Sequence, residues 1–296
     1  MQVLVTGGSG FIGQALCPAL LAAGMHVTVL TRNVERVAGQ LAGVRLIERL
    51  DDMARADAVV NLAGASLAGQ RWTHRYKQIL RESRLRTTEA LLAWMQKMPL
   101  RPHVLVSGSA IGYYGPRDDT PLMEESAPGD DFAAQLCRDW EAAALPAQDL
   151  GVRVCLLRTG VVLGADGGAL QQMLLPYRFG LGGPISGGAQ WMSWIHRRDL
   201  VRMIQWLLQD ANTQGPCNGT APEPIRQREF AQQLAEAVHR PAMLPTPALA
   251  LKLAVGEMAD MLVHGQKVLP AYAQQHGFQF DYPRLEDALR QILPRA

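Results

Sequence analysis

Gln2-Val3-Leu4-Val5-Thr6-Gly7-Gly8-Ser9-Gly10-Phe11-Ile12-Gly13 decides the fold. A short β-branched run ends at a threonine, and glycines follow at 7, 10 and 13. An apolar helical pattern then runs over 11–23 and closes at Gly24. Each glycine has a physical job. One makes the tight turn from strand to helix, another lets the backbone approach a pyrophosphate, and the last lets the helix pack closely on the strand. The helix N-terminus offers free N–H groups and partial positive charge to phosphates. A glycine-rich loop alone is a weak signal. Directly between a strand and a helix, it predicts a dinucleotide site.

The end of the second strand discriminates between the two common dinucleotides. An acidic residue there binds the ribose 2′-hydroxyl, whereas an arginine accommodates a 2′-phosphate. Here Val27-Thr28-Val29-Leu30 is followed by Thr31 and Arg32, and no carboxylate occurs until Glu35. A guanidinium forks onto phosphate, and a threonine hydroxyl adds a bond. The expected cofactor is therefore NADP(H).

Working outward, strands are predicted at 2–6, 26–31, 44–47, 58–62, 103–107 and 152–158, with helices at 11–23, 73–97 and 132–149. This alternation implies an α/β fold, a doubly wound parallel sheet covered on both faces. Beyond residue 160 Gly and Pro punctuate the chain. Helices are predicted near 169–178, 199–210, 226–238, 247–262 and 284–292. Residues 1–160 read as a Rossmann domain, with strands returning from later segments, and 161–296 as a smaller, mostly helical substrate-side region.

The chain has 296 residues, 48% of them hydrophobic, which suffices for a substantial core. Its 29 basic and 27 acidic residues leave a net charge of +2, so there is no nucleic-acid footprint. The basic stretch 71–86 has helical spacing and reads as a solvated helix face. Cys17, Cys137, Cys155 and Cys217 form no CxxC pair and read as buried free thiols of a reducing compartment. No apolar run reaches the roughly 18 residues a membrane span needs. The N-terminus lacks the basic region of a signal peptide. A cytoplasmic protein without membrane partners is expected, and no cluster with metal-ligand spacing occurs.

The sequence resembles the extended short-chain dehydrogenase/reductases, a group that includes sugar-nucleotide epimerases. The resemblance rests on Thr6-Gly7-x-x-Gly10-x-x-Gly13, Asn61-Leu62-Ala63-Gly64-Ala65, Val106-Ser107-Gly108-Ser109-Ala110 and Trp194-Ile195-His196-x-x-Asp199. Arg71-Trp72, Ser83-Arg84, Trp140-Glu141, the stretch from Arg158 to Gly164, Gly180-Leu181-Gly182-Gly183-Pro184 and Gly277-Phe278 narrow it to the atypical "epimerase family protein" group. That group carries a C-terminal domain of unknown function, and some members are labelled cell-division inhibitors. The resemblance implies a Rossmann fold, NADP(H) and a homodimer through helices 73–97 and 132–149. It places the cofactor on Gly7, Ser9, Gly10, Phe11, Ile12 and Gly13, and on Thr31 and Arg32. Leu62, Ala63, Gly64, Arg84, Ser107 and Val162 complete the set.

Working reductases of this superfamily use a Ser with a Tyr-x-x-x-Lys pair on a helix. Ser109 fits the serine position. The helix Phe132-Ala133-Ala134-Gln135-Leu136-Cys137-Arg138-Asp139-Trp140-Glu141 contains no such pair. Phe132 with Leu136, or Ala133 with Cys137, takes those places. Tyr113 and Tyr114 follow Ser109 closely and are the candidate replacement acids. His196 reads as a satisfied histidine near the sheet edge, and Asp199 as the cap of the following helix. Gln190–Trp194 and Leu181–Pro184 form either an apolar substrate wall or ordinary core, and Arg71 and Trp72 are candidates to complete the pocket.

Three functions follow. The first is an NADP(H)-dependent oxidoreductase or epimerase-like enzyme of modified mechanism, acting on a small polar metabolite. The second is a non-catalytic NADP(H)-binding sensor or regulator. The third is a nucleotide-sugar epimerase, for which helix 132–141 lacks the usual pair.

Overall fold

The computed structural model describes residues 1–242 and 244–293. Seven parallel strands form the central sheet: β1 Gln2–Thr6, β2 His26–Leu30, β3 Arg45–Ile47, β4 Ala58–Asn61, β5 Val104–Ala110, β6 Arg153–Thr159 and β7 Gly215–Gly219. Their spatial order is 3-2-1-4-5-6-7, which reverses between β1 and β4. Ligands of open α/β sheets bind at such a reversal, beyond the carboxyl ends of the strands. Continuous burial of Ala58–Asn61 and of Val104 through Ser109 matches strands covered on both faces.

Helices α1 Gly13–Ala22, α2 Val34–Ala38, α3 His74–Lys97 and α4 Phe132–Ala144 occupy the first half. The later helices are α5 Gly168–Arg178, α6 Arg197–Gln209, α7 Gln227–Ala237, α8 Ala248–Val255, α9 Met258–Val263, α10 Ala271–Gln275 and α11 Leu285–Ile292. One face of the sheet packs on α1 and α6 through Val3, Val5, Leu16, Leu20, Ile204 and Leu207. The other packs on α3 through Leu4, Val59, Leu91, Trp94 and Leu105. A separate core joins α5, α7 and α11 around Trp194, Phe230 and Leu289.

Three differences from the sequence expectation have local causes. The helix expected over 132–149 stops at Ala144 and continues as a 3₁₀ turn, because Pro146 has no N–H to donate. The helix expected over 247–262 is two helices, broken at Gly256, whose φ is +70°. Strand β7, Gly-Pro-Cys-Asn-Gly, carries no strand signal, yet it pairs with β6 from Gly215 to Gly219. It lies at the sheet edge, where Pro216 loses no ladder bond to an outer neighbour.

The C-terminal segment is tied to the sheet layer. Phe278 and Ala273 enter the α1–α6 core, and the buried Asp199 carboxylate accepts N–H bonds from Asp281 at 2.8 Å and Tyr282 at 2.9 Å. His196, not Asp199, caps α6: its Nδ1 accepts from Arg198 N at 3.1 Å. The four cysteines are free and buried. Among the described residues no helix is long and apolar enough to cross a membrane.

Candidate functional site

The glycine loop divides its labour by geometry. Gly7 has φ +72°, and a Cβ there would stand 2.6 Å from the Leu62 carbonyl oxygen. At Gly13 a Cβ would strike the Gly7 carbonyl at 2.4 Å and the Gly8 α-carbon at 2.5 Å, so this glycine lets α1 approach β1. At Gly10 the same atom would meet only the Gly7 oxygen, at 3.2 Å, leaving the outer side open. Ile12 begins α1 with no side-chain cap, and among the described residues the N–H groups of Phe11, Ile12 and Gly13 have no backbone acceptor. An uncapped helix start that faces an open glycine can accept an anion. Ser9 turns its carbonyl to the Gln14 amide at 3.0 Å. The Phe11 ring lies against Gly164, Gly167 and Gly168, with the Arg197 guanidinium 4.6 Å from its centroid.

Thr31 and Arg32 follow β2. Arg32 is exposed and makes no hydrogen bond or ion pair among the described residues. The Thr31 N–H donates to the Ile47 carbonyl at 2.9 Å, and its hydroxyl makes 3.4 Å contacts with the backbone of Asn33. At the β4 exit a buried chain ties β1, β4 and α3: Thr6 Oγ1 donates to Asn61 Oδ1 at 2.7 Å, and Asn61 Nδ2 to Thr88 Oγ1 at 2.9 Å. Ala63 N donates to Thr6 Oγ1, which fixes the Leu62-Ala63-Gly64 turn.

Arg84 reaches this turn from α3. It is 8% exposed, and its guanidinium donates to the carbonyls of Leu80 and Ala65 but pairs with no carboxylate among the described residues. Gly64 makes room for it: a Cβ there would be 2.9 Å from Cζ. Burial pulls the Arg84 pKa down, because a desolvated cation without a counter-charge is costly.

A cleft of about 260 Å³ opens beside these groups, at the carboxyl ends of the strands. Ile12, Leu62, Trp72, Trp140, Met261 and Leu136 line it, with Ser109 and Thr159 among its few polar groups. Members of both candidate pairs reach it: Ala133, Leu136 and Cys137 line the cleft, whereas Phe132 stacks edge-on with Trp72, 5.4 Å between centroids. Neither pair can carry the acid/base work of Tyr-x-x-x-Lys. Burial pushes the Cys137 thiol up to about 11.

Ser109 sits on the cleft wall with an ionic pair behind it. Its Oγ donates to Glu141 Oε1 at 2.7 Å. Arg158 donates to the same carboxylate through Nε at 2.8 Å and Nη2 at 2.9 Å. Glu141 and Arg158 are 6% and 2% exposed, a bidentate pair shielded from water. Their side chains come from α4 and β6, so packing of that helix on the sheet creates the pair. Sequence reasoning assigned neither residue a role. The available signal was charge among apolar neighbours, as in Cys155-Leu156-Leu157-Arg158.

Tyr113 and Tyr114 lie on the far side of Arg158, outside the cleft lining. Arg158 stands 3.5 Å from the Tyr113 ring centroid and donates to Tyr114 Oη at 3.1 Å. Tyr114 is fully buried, donates to Asn218 Oδ1 at 2.7 Å, and has its phenol pKa pushed up to about 12 by burial. Ser107 is buried two residues before Ser109, with no partner for its hydroxyl among the described residues. Val162 lies beyond Thr159 on the short strand Val161–Leu163, paired with Trp194–His196. Trp194 is core, and Trp191 bonds Asp119 Oδ1 at 2.9 Å beneath Arg226, so this stretch packs rather than walls the cleft. Of Arg71 and Trp72, only Trp72 lines the cleft.

Comparison with known proteins agrees with this architecture. The family model of the NAD dependent epimerase/dehydratase family matches residues 3–218, and a domain of unknown function, DUF1731, matches residues 246–292. The chain is 42% identical to the chloroplastic epimerase family protein SDR39U1 homolog of Arabidopsis thaliana, covering 99% of this chain and 87% of that protein. It is 38% identical to the Bacillus subtilis epimerase family protein YfhF, covering 99% and 98%. The crystal structure of human epimerase family protein SDR39U1 (isoform 2) with NADPH superposes with a TM-score of 0.91 at 38% identity, over 100% of both chains. The chain belongs to the NAD dependent epimerase/dehydratase family.

Proposed function

We propose that the protein is an NADP(H)-dependent oxidoreductase or epimerase-like enzyme in which Ser109, backed by Glu141 and Arg158, replaces the missing Tyr-x-x-x-Lys pair at the substrate oxygen. The observation that carries this reading is the Ser109–Glu141–Arg158 chain at the cleft wall, beside an unpaired buried Arg84.

The residues fit the cofactor at four independent points. Among the described residues the Gly10 α-carbon faces open space, the start of α1 is uncapped, Arg84 has no counter-charge, and Arg32 is unpaired. A dinucleotide pyrophosphate answers the first three and a 2′-phosphate the fourth. The NADPH bound to the human relative supports NADP(H) over NAD(H). Thr31 and Arg32 would hold the adenosine end, Gly7 to Gly13 the pyrophosphate, and Leu62, Ala63, Gly64, Ser107 and Val162 would flank the remainder. Bound there, the nicotinamide supplies hydride chemistry. The chain's own part is to orient a substrate oxygen at Ser109 and to exclude water with Trp72, Trp140 and Met261. Tyr113 and Tyr114 brace Arg158 in this reading and move no proton.

A cofactor-binding sensor is the second reading. It is favoured by one observation, the inert Ala133 and Cys137 on the cleft face of α4. Turnover of any carbonyl or alcohol separates the two.

The test uses the tryptophans of the cleft. Titrating NADPH into the protein quenches tryptophan emission and transfers energy to the nicotinamide, and Trp140→Phe removes much of that transfer. An emission spectrum unchanged at saturating NADPH contradicts the proposal.

A further inference from the structure

We propose that the substrate held by this cleft is a compact, largely apolar alcohol, and that Ser109 accepts a hydrogen bond from its hydroxyl instead of donating one to a carbonyl. This deepens the function proposed above, and it rests on that reading only in placing substrate in the same cleft.

A serine hydroxyl has one proton to give. That of Ser109 is committed to Glu141 Oε1 at 2.7 Å. Glu141 serves as the acceptor, because two Arg158 N–H groups grip its two oxygens at 2.8 and 2.9 Å in a bidentate ion pair. Ser109 therefore has only lone pairs to offer on the cleft wall, beside the Cys137 thiol. Thr159, the other hydroxyl on the wall, points its proton at the Leu157 carbonyl at 3.4 Å. A ketone oxygen against Ser109 would set acceptor against acceptor. A hydroxyl can donate there, and the indole Nε1–H of Trp140 is buried away from the cleft surface, so it offers a ketone no replacement donor.

The rest of the lining gives the class. Leu67, Trp72, Ala133, Leu136, Trp140 and Met261 present apolar surface. Among the described residues Arg84 is the one charged residue on the wall, and in the proposed function it belongs to the cofactor. About 260 Å³ with two hydroxyl acceptors offers nothing for a second diphosphate or for the several hydroxyls of a sugar. The small polar metabolite expected from sequence does not match this surface; a branched or aromatic secondary alcohol does.

The probes are 1-phenylethanol and acetophenone, which share a carbon skeleton and differ at the oxygen. Each is titrated calorimetrically into the purified full-length protein and into Ser109→Ala and Glu141→Gln. The alcohol is expected to bind about tenfold more tightly than the ketone, as one matched hydrogen bond against a mismatched one implies. Ser109→Ala, which leaves the Glu141–Arg158 pair in place, should abolish the preference. Glu141→Gln replaces the carboxylate by a weaker amide acceptor for the Ser109 proton and should narrow it. Equal binding of the two probes, a ketone preference in the unaltered protein, a preference that survives Ser109→Ala, or no binding of either overturns the inference. An alcohol preference that disappears with Ser109 supports it whatever the NADPH titration shows, so the two readings fail separately.

Discussion

Arg158 and Glu141 show how a single residue pair sets the chemistry of its neighbours. At 2% and 6% exposure, the ions have given up water for each other, and removing one strands the other. Arg158→Met should therefore lower the unfolding free energy by about 3–5 kcal/mol in urea denaturation. A change near zero would contradict a pair shielded from water. His196 gives a pH prediction. Burial holds its imidazole below the ordinary 6.5, against the opposing pull of the Gln291 hydrogen bond and Asp199 and with the help of Arg197 and Arg198. Its Nδ1 accepts from Arg198 N while Nε2 meets Gln291 Oε1 at 2.9 Å, an arrangement for the neutral ring. The unfolded chain thus binds this proton more readily than the folded one. The stability that neutral His196 contributes is present above about pH 6.5 and lost as pH falls toward the folded pKa, by at most about 1.4 kcal/mol per pH unit. His196→Asn keeps a cap acceptor and should flatten that part of the melting profile.

At the scale of elements, the loop from β1 to α1 makes its glycines separable by experiment. Gly13→Ala drives a methyl into the Gly7 carbonyl at 2.4 Å and should cost about 1–3 kcal/mol of stability. Gly10→Ala meets little protein, so it should melt near the parent temperature while weakening NADPH binding at least about tenfold. Equal destabilisation by both would remove the ligand-facing role of Gly10. This loop was legible because its function is local: turn, approach and packing all fall within seven residues. The order of early strands and helices was legible for the same reason. Strand β7 was not, since Gly-Pro-Cys-Asn-Gly has no alternation and is a strand only because β6 offers an edge. The split of α8 from α9 hangs on the left-handed Gly256, a conformation that periodicity does not report.

For the whole molecule, the cleft exists because distant segments converge. Ile12 follows β1, Ser109 ends β5, Trp140 rides α4, and Met261 comes from α9 within the C-terminal unit. The candidate serine and the cofactor loop could be read from sequence patterns. The ionic backing of Ser109 could not, because Glu141 and Arg158 are 17 residues apart and meet only when α4 lies on β6. Tyr113 and Tyr114 follow Ser109 closely in sequence, yet the turn after β5 carries them to Arg158 and not into the cleft lining. The same convergence predicts that the chain does not survive without its last part. Truncation after residue 245 removes Phe278 and Ala273 from the main core and the N–H partners of buried Asp199. The shortened protein should lose cooperative thermal unfolding; a sharp transition near the parent temperature would show that the C-terminal unit is dispensable.

The most direct test of the central claim is calorimetric titration of NADPH and NADH into the protein and into Arg32→Ala. The account predicts tighter binding of NADPH, with the advantage collapsing in the variant as NADPH affinity falls about tenfold or more while NADH is little changed. Equal losses for both nucleotides, or binding of neither, would contradict it.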